Sequence, residues 1–244
     1  MKHKPMISIV MPNYKSNMFE KALKSVFKQT YKHIELIVID GGSGLKTTKI
    51  LKKYNKKIDF WISKKDKGMW DAWNKGLKLA KGDYVGIVDS SNLLYPKAME
   101  ILSRYINKYP NIDFICGTVK KDGKILAGFN PNKIHQKFDI IPSSVVGFYI
   151  KTKLLKKVGY FNLKYKIQSD YDFLYRIIVK HKLRGIHTKS SEVFGNLGVS
   201  GYSKKHSYFK RLFSEIMIRY NNGQNILYLI YIIFGRTFTK IFKL

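Results

Sequence analysis

Three aspartates follow short apolar runs in the first hundred residues. Asp40 comes after Ile34-Glu35-Leu36-Ile37-Val38-Ile39, Asp66 lies in the loop after residues 58–63, and Asp89 comes after Tyr84-Val85-Gly86-Ile87-Val88. Carboxylates so placed can accept hydrogen bonds from a ribose or a base edge, or ligate a hard cation. A fourth acid, Asp170, stands at the polar start of a helical pattern, Ser169-Asp170-Tyr171-Asp172-Phe173-Leu174. By position alone a carboxylate there reads as a helix cap worth about 1 kcal/mol. Singly, each acid is ordinary turn chemistry. Gathered into one cleft of a chain with a net charge of +30, Asp40, Asp66 and Asp89 favour a ligand site.

The elements that must gather them are legible from residue 7 to about 107. Strand-like runs at 7–11, 34–39, 58–63 and 84–88 alternate with helical spacing at 19–29, 47–54, 69–80 and 96–107. Alternation of this kind implies a parallel sheet with helical crossovers, whose ligands sit at the carboxyl ends of the strands. Asp40, Asp66 and Asp89 are thereby expected on one edge. In the helix at 69–80, Trp70, Trp73 and Leu77 share the core face, and Asp71 and Asn74 share another.

Bulk composition narrows the classes. A hydrophobic share of 45% belongs to a globular protein. Cys116 is the single cysteine, so no intramolecular disulfide forms, and residues 6–11 read as a strand rather than a secretory segment. A cytoplasmic location is expected. The 46 basic against 16 acidic residues favour anionic partners. The excess is almost all lysine, whereas base reading leans on arginine, so no specific nucleic-acid partner is expected. Lysine, isoleucine and asparagine are abundant together, which an AT-rich coding sequence explains equally well.

Four blocks in order carry a resemblance: Ile7-Ser8-Ile9-Val10-Met11-Pro12-Asn13-Tyr14, Glu35-Leu36-Ile37-Val38-Ile39-Asp40-Gly41-Gly42-Ser43, Asp66-Lys67-Gly68-Met69-Trp70-Asp71-Ala72-Trp73-Asn74-Lys75-Gly76 and Lys81-Gly82-Asp83-Tyr84. In this order and at these spacings the chain resembles the family 2 glycosyltransferases. These are inverting enzymes with the α/β GT-A fold, a mostly parallel Rossmann-like sheet flanked by helices. The resemblance implies that Pro12, Tyr14, Asp40, Asp66 and Asp89 hold the nucleotide of a sugar donor, with a UDP-sugar expected. Pro12 fixes the loop, Tyr14 offers a stacking face, and Asp40 accepts from a uracil N–H or ribose hydroxyl with Asp66 across the base. It also implies an Asp-x-Asp-like metal element, here Asp89-Ser90-Ser91-Asn92. Ser91 stands where the second acid belongs, which weakens the expected Mg²⁺ or Mn²⁺ site at Asp89. By the same resemblance Asp170 is the general base, with Asp172 orienting the site or capping the helix. The acceptor is then a hydroxyl of a glycan on lipid or protein. A catalytically silent nucleotide-sugar-binding or scaffold protein is the alternative.

Further along, strands are expected at 112–119, 125–129 and 145–150, with a hairpin turn at 121–124, a short helix at 151–158 and a last strand at 185–188. His135 lies in a polar stretch and reads as a surface residue. The glycine-rich segment 194–201 resembles the family's loop over the donor and acceptor, a lid by its small residues. The division expected is a catalytic domain at 1–203, with a donor half at 1–110 and an acceptor half at 111–203, followed by a basic helical segment at 204–244. In that segment Phe209, Leu212, Phe213, Ile216, Met217 and Tyr220 form a helical stripe, and residues 226–234 are continuously apolar. Nine residues do not span a bilayer, so the segment suits an anionic membrane surface, the core or a second subunit.

Overall fold

A computed structural model of the chain describes residues 3–130, 144–198 and 206–241. His135, residues 199–201 of the glycine-rich segment and residues 204–205 fall outside them. The first hundred residues fold as their periodicity dictates. Strands β1 (Ile7–Asn13) and β2 (Ile34–Asp40) are buried along most of their length, as strands covered on both faces must be. Helix α1 (Phe19–Phe27) buries Phe19, Ala22, Leu23 and Val26, the apolar stripe of its sequence. There follow α2 (Leu45–Lys53), β3 (Phe60–Ser63), α3 (Met69–Leu79), β4 (Tyr84–Ile87), β5 (Leu93–Leu94) and α4 (Ala98–Lys108). Strands β3, β2, β1 and β4 are neighbours and parallel, with Asn13 opposite Asp40 and Asp40 opposite Ser63. Their carboxyl ends form one edge.

The start of β4 explains two of the sequence blocks. Gly82 N–H donates to Ser8 Oγ at 2.8 Å, and a Cβ on Gly82 would lie 2.7 Å from the Met6 carbonyl oxygen. Met6 N–H donates to Asp83 and Lys81 N–H to Glu35, each at 2.8 Å. Lys81, Gly82, Asp83 and Glu35 thus fasten β4 to β1 at the edge away from the acids.

Beyond Asn111 the expectations need correction. Residues 112–119 are two strands: β6 (Phe114–Cys116) joins the main sheet, and β7 (Thr118–Lys121) opens a second one. Gly117 separates them because a Cβ there would lie 2.4 Å from the Phe194 ring. Strand β8 (Lys124–Leu126) completes the expected hairpin, with φ positive at Asp122 and Gly123. Residues 145–150 divide into a helical turn, α5 (Ser144–Gly147), and β9 (Phe148–Lys151). Strand β9 runs antiparallel between β4 and β6, and Gly86 on β4 leaves the space its Tyr149 ring fills. With α6 (Leu155–Val158), α7 (Ser169–Tyr175), β10 (Gly185–His187) and β11 (Val193–Asn196), the main sheet has the order β10-β6-β9-β4-β1-β2-β3. It is mostly parallel, with one strand reversed. The smaller sheet has the order β5-β11-β7-β8.

Helices α8 (Tyr208–Asn221) and α9 (Ile226–Ile241) form an antiparallel pair, tied where Tyr208 Oη donates to the Arg236 carbonyl at 2.9 Å. The face of α8 that packs is not its apolar stripe. Leu212 and Ile218 are buried, but so are Glu215 and Arg219, both 0% exposed and paired at 2.8 Å. Phe209, Phe213, Met217 and Tyr220 point outward. A buried ion pair four residues apart supplies the polar half of the packed face, and most of the apolar stripe is left facing outward.

Candidate active site

The loop after β1 is held on two sides. Lys15, with φ of 51°, donates its N–H to Ser43 Oγ at 2.8 Å, and Ser16 Oγ donates to the Ser90 carbonyl at 3.1 Å. Ser90 N–H in turn reaches the Pro12 carbonyl at 3.2 Å. The segments following β1, β2 and β4 are therefore one bonded assembly, and Pro12 is part of its frame. Tyr14 stands out from it, 64% exposed, with Lys15 Nζ 5.3 Å from its ring centroid. Gly41 lies between Tyr14 and Asp66: a Cβ there would be 3.2 Å from Tyr14 Cδ2 and 2.5 Å from Asp66 Oδ2. Asp66 Oδ1 also accepts from Gly68 N–H at 2.9 Å, which fixes the carboxylate just ahead of α3. Tyr14 and Asp66 converge because Gly41 has no side chain to hold them apart.

Asp40 takes a different position from the one expected of a nucleotide contact. It is 0% exposed. Oδ1 accepts from Asn13 Nδ2 and Ser43 Oγ, and Oδ2 accepts from Ser43 N–H at 3.0 Å and Ser63 Oγ at 2.6 Å. Four bonds fill the four lone-pair sites of a carboxylate. Asp40 is thus the internal knot joining the ends of β1, β2 and β3 beneath Tyr14 and Asp66.

Asp89 is provided for in the opposite way. It is half-buried and, among the described residues, makes no salt bridge. Burial pushes its carboxyl up to about 7, with the Trp73 indole acting against the shift. The buried Trp73 Nε1 has no closer hydrogen-bond partner among the described residues. A desolvated carboxylate without a cation suits a divalent ion or a hydroxylated ligand. The neighbouring oxygens add little: Asn92 Oδ1 already accepts from Gly198 N–H at 2.8 Å. Among the described residues no group of three His, Cys, Asp or Glu side chains is arranged to hold a metal. One free carboxylate fits Mg²⁺ or Mn²⁺ bound chiefly by ligand phosphates and water.

The glycine-rich segment begins as structure rather than as a lid. Residues 193–196 are β11, and a Cβ on Gly195 or Gly198 would lie 2.0 Å from Leu93 O or 2.1 Å from Ser91 O, respectively. Its glycines let two backbones lie flat against each other, covering the segment that follows Asp89.

Helix α3 carries the connection from Asp89 to Asp170. Trp70 and Trp73 are core residues, and both pack on Phe161, with ring centroids 5.5 and 5.0 Å away. Asn74 clasps the Phe161 backbone from both sides, donating to its carbonyl at 2.8 Å and accepting its N–H at 2.9 Å. Asn74, expected to share a face with Asp71 apart from the tryptophans, is buried with them instead, because the Phe161 backbone satisfies its amide. From Phe161 the chain reaches α7, where Ser169 Oγ donates to the Asn162 carbonyl at 3.0 Å and Gln168 adopts φ of 64°. Asp170 follows within the first helical turn and is open to solvent. Protein crowded around it pushes its carboxyl above the ordinary aspartate value, and the Tyr171 N–H, 2.9 Å from Oδ1, pulls the other way. Asp172 faces inward, paired with Arg176 at 2.9 Å and bonded by Asn222 Nδ2 at 3.0 Å. Asp71 accepts from Lys67 N–H and pairs with Lys75, as a residue of a helix start.

A site framed by strand ends, with the exposed Tyr14 ring beside the half-buried Asp66 at one side and Asp89 and Asp170 beyond, matches what sequence comparison finds. The model for Glycosyl transferase family 2 matches residues 8–176. An uncharacterized glycosyltransferase of Rickettsia typhi is 33% identical over 190 residues, covering 72% of this chain and 59% of that protein. The chain thus spans about three-fifths of that relative's length. The crystal structure of Staphylococcus aureus TarS 1-349 in complex with UDP-GlcNAc superposes with a TM-score of 0.70 at 18% identity, covering 93% of this chain and 71% of that one. The mannosyltransferase PcManGT from Pyrobaculum calidifontis, in complex with GDP-Man and Mn²⁺, superposes with a TM-score of 0.63 at 16% identity, covering 96% and 69%. The fold is that of these GT-A enzymes, and the chain belongs to glycosyl transferase family 2.

Proposed function

We propose that this chain transfers a sugar from a nucleotide-diphosphate donor to an acceptor hydroxyl with inversion at the anomeric carbon. The observation that carries the reading is the pair of acids served differently from the rest: Asp89, which makes no salt bridge among the described residues, and Asp170, exposed in the first turn of α7. Tyr14 stacks on the base and Asp66 accepts from the nucleoside, while Asp40 and Pro12 act from beneath by holding those loops. A UDP donor is favoured because the structurally similar TarS is in complex with UDP-GlcNAc, and the Asp66 carboxylate can accept from a uracil N–H or a ribose hydroxyl. Asp170 takes the proton of the acceptor hydroxyl as its oxygen bonds to the anomeric carbon. The bond from that carbon to the diphosphate breaks, and the nucleoside diphosphate leaves with the electron pair. A carboxyl raised above its usual value is a stronger base once ionised. Bound Mg²⁺ or Mn²⁺, held on the protein side by Asp89, would neutralise the leaving diphosphate.

The test is release of UDP from UDP-GlcNAc, with and without Mn²⁺. Asp170→Asn is expected to lower turnover by about 10²- to 10⁴-fold while UDP still binds. Unchanged turnover would remove Asp170 from the chemistry. UDP binding without turnover in the unmodified chain would favour the silent, scaffold reading.

The acceptor is proposed to be a glycan on a lipid or a protein, met at a membrane surface. In support, Leu227, Tyr231 and Phe234 on α9 are each at least 70% exposed. Glu215 is the only acid within residues 206–241 and is fully buried, so the outer surface of the hairpin is apolar and cationic. That combination suits anionic headgroups. No helix among the described residues is long and apolar enough to cross a membrane. Sedimentation with phosphatidylglycerol-containing vesicles at low salt is expected, and loss of binding in Leu227→Glu/Phe234→Glu. Equal sedimentation of that variant would assign the attraction to lysines alone.

A further inference from the structure

Asp170 has little of its own to hold it. Its recorded bond is to the next residue's N–H, and it stands just after a left-handed residue, Gln168. What surrounds it in sequence, however, is bonded to α8. Ser214 Oγ donates to the Ile167 carbonyl at 3.2 Å, three residues before Asp170. Tyr171 Oη, from the residue after it, donates to Glu215 Oε1 at 3.4 Å, and the Arg219 guanidinium lies 5.6 Å from the centre of the Tyr171 ring. Asn222 Nδ2 donates to Asp172, and Tyr175 Oη donates to Gln224.

The centre of this attachment is fully desolvated. Glu215 accepts from Arg219 at 2.8 Å and pairs with Arg236 of α9, and Arg219 also lies over the Tyr175 ring at 5.7 Å. Both Glu215 and Arg219 are 0% exposed. Charges buried this completely are retained at a cost that apolar residues of similar size would avoid, and a geometry that must be held is one reason for it. The donor-side loops are built from residues 12–92 and share none of these bonds.

We infer that Glu215 and Arg219 are positioning residues for the reaction: through Tyr171 they set where the first turn of α7, and hence the Asp170 carboxylate, stands. The inference rests on the reading of Asp170 as the base. It makes α8 part of the catalytic apparatus through its bonds to the residues around Asp170. It also predicts a separation in kinetics. Loosening this attachment should leave UDP affinity alone and lower the rate of the step that uses Asp170.

The experiment uses the full chain with UDP and UDP-GlcNAc as probes. Tyr171→Phe removes one hydroxyl and keeps the ring, and Glu215→Gln removes the central charge. If Glu215→Gln does not fold, Tyr171→Phe and Ser214→Ala carry the test. The expected result is a fall of about 10- to 100-fold in kcat for UDP-GlcNAc hydrolysis, with the Kd for UDP within twofold. A readout independent of turnover accompanies it: ¹³C NMR titration of the aspartate carboxyls, with the Asp170 signal assigned through Asp170→Asn. In the variants that signal should move toward the ordinary aspartate value while the Asp89 signal stays in place. Kinetics and an Asp170 titration both unchanged would overturn the inference. A parallel loss of UDP affinity would do the same, by showing a general loss of folding. A chain in which Asp170→Asn hydrolyses donor normally, while the titration still responds to α8, would instead refute the role given to Asp170.

Discussion

Asp40 and Asp89 end neighbouring parts of one sheet, and the protein treats them in opposite ways. Asp40 has four donors and no exposure; Asp89 has partial exposure, a Trp73 indole and, among the described residues, no cation. The first arrangement satisfies a charge so completely that nothing further can bind it. The second leaves a charge for something else to complete. Residue type and place in the fold are shared, so the difference lies in the donors each loop brings. Asn13, Ser43 and Ser63 surround Asp40, whereas the Asn92 amide oxygen, three residues past Asp89, is turned to Gly198.

Three measurements would break or sharpen that contrast. The largest effect is expected on stability in Asp40→Asn. An amide presents two hydrogens to a site built of donors, which costs about 3 kcal/mol in urea unfolding. A midpoint equal to that of the unmodified chain would show that Asp40 is no knot.

Asp89→Asn should act with the opposite sign, and only in part of the pH range. The folded carboxyl titrates at about 7 against an ordinary 3.8, so the folded state holds its proton more tightly. Its contribution is fully present below about 4 and is lost as pH rises to about 7. The variant, which has no such proton, should match the unmodified chain near pH 4. Near pH 8 it should melt higher by an amount worth about 1 kcal/mol, after allowance for partial exposure. Differential scanning fluorimetry across that range reads both ends, and a lower melting point at pH 8 would place Asp89 with Asp40.

The smallest effect belongs to Gly41→Ala. Its Cβ would press on Asp66 Oδ2 and, less closely, on Tyr14. UDP affinity should weaken by about 1 kcal/mol or less, read by calorimetry, with stability nearly unchanged. Affinity equal to that of the unmodified chain would separate Tyr14 and Asp66 from nucleoside binding.

The contrast also explains what sequence reading could and could not reach. The strands at 7–11, 34–39 and 84–88 and the acids that follow them are local signals, because a buried strand and its terminating turn are written in consecutive residues. That Asp40 is internal depends on Asn13 and Ser63, which come from two other strands. That Gly117 divides a strand depends on Phe194, nearly eighty residues away. The packed face of α8 is hidden for a related reason: Glu215 and Arg219 are solvated charges by type and buried ones only through each other, Arg236 and two tyrosines. Properties set by a partner far along the chain leave no periodicity to read.

Strand β9 has one more consequence. Because it is threaded between β4 and β6, the sheet cannot be parted near residue 110 without baring the flank of β4 and removing the ring that fills the notch at Gly86. A fragment ending there would present an unpaired, apolar rim to its neighbours and would be expected to stick to them. Recombination between relatives should therefore tolerate exchange of whole catalytic units and reject splices made midway, however neatly the nucleotide-facing loops fall on one side of the cut.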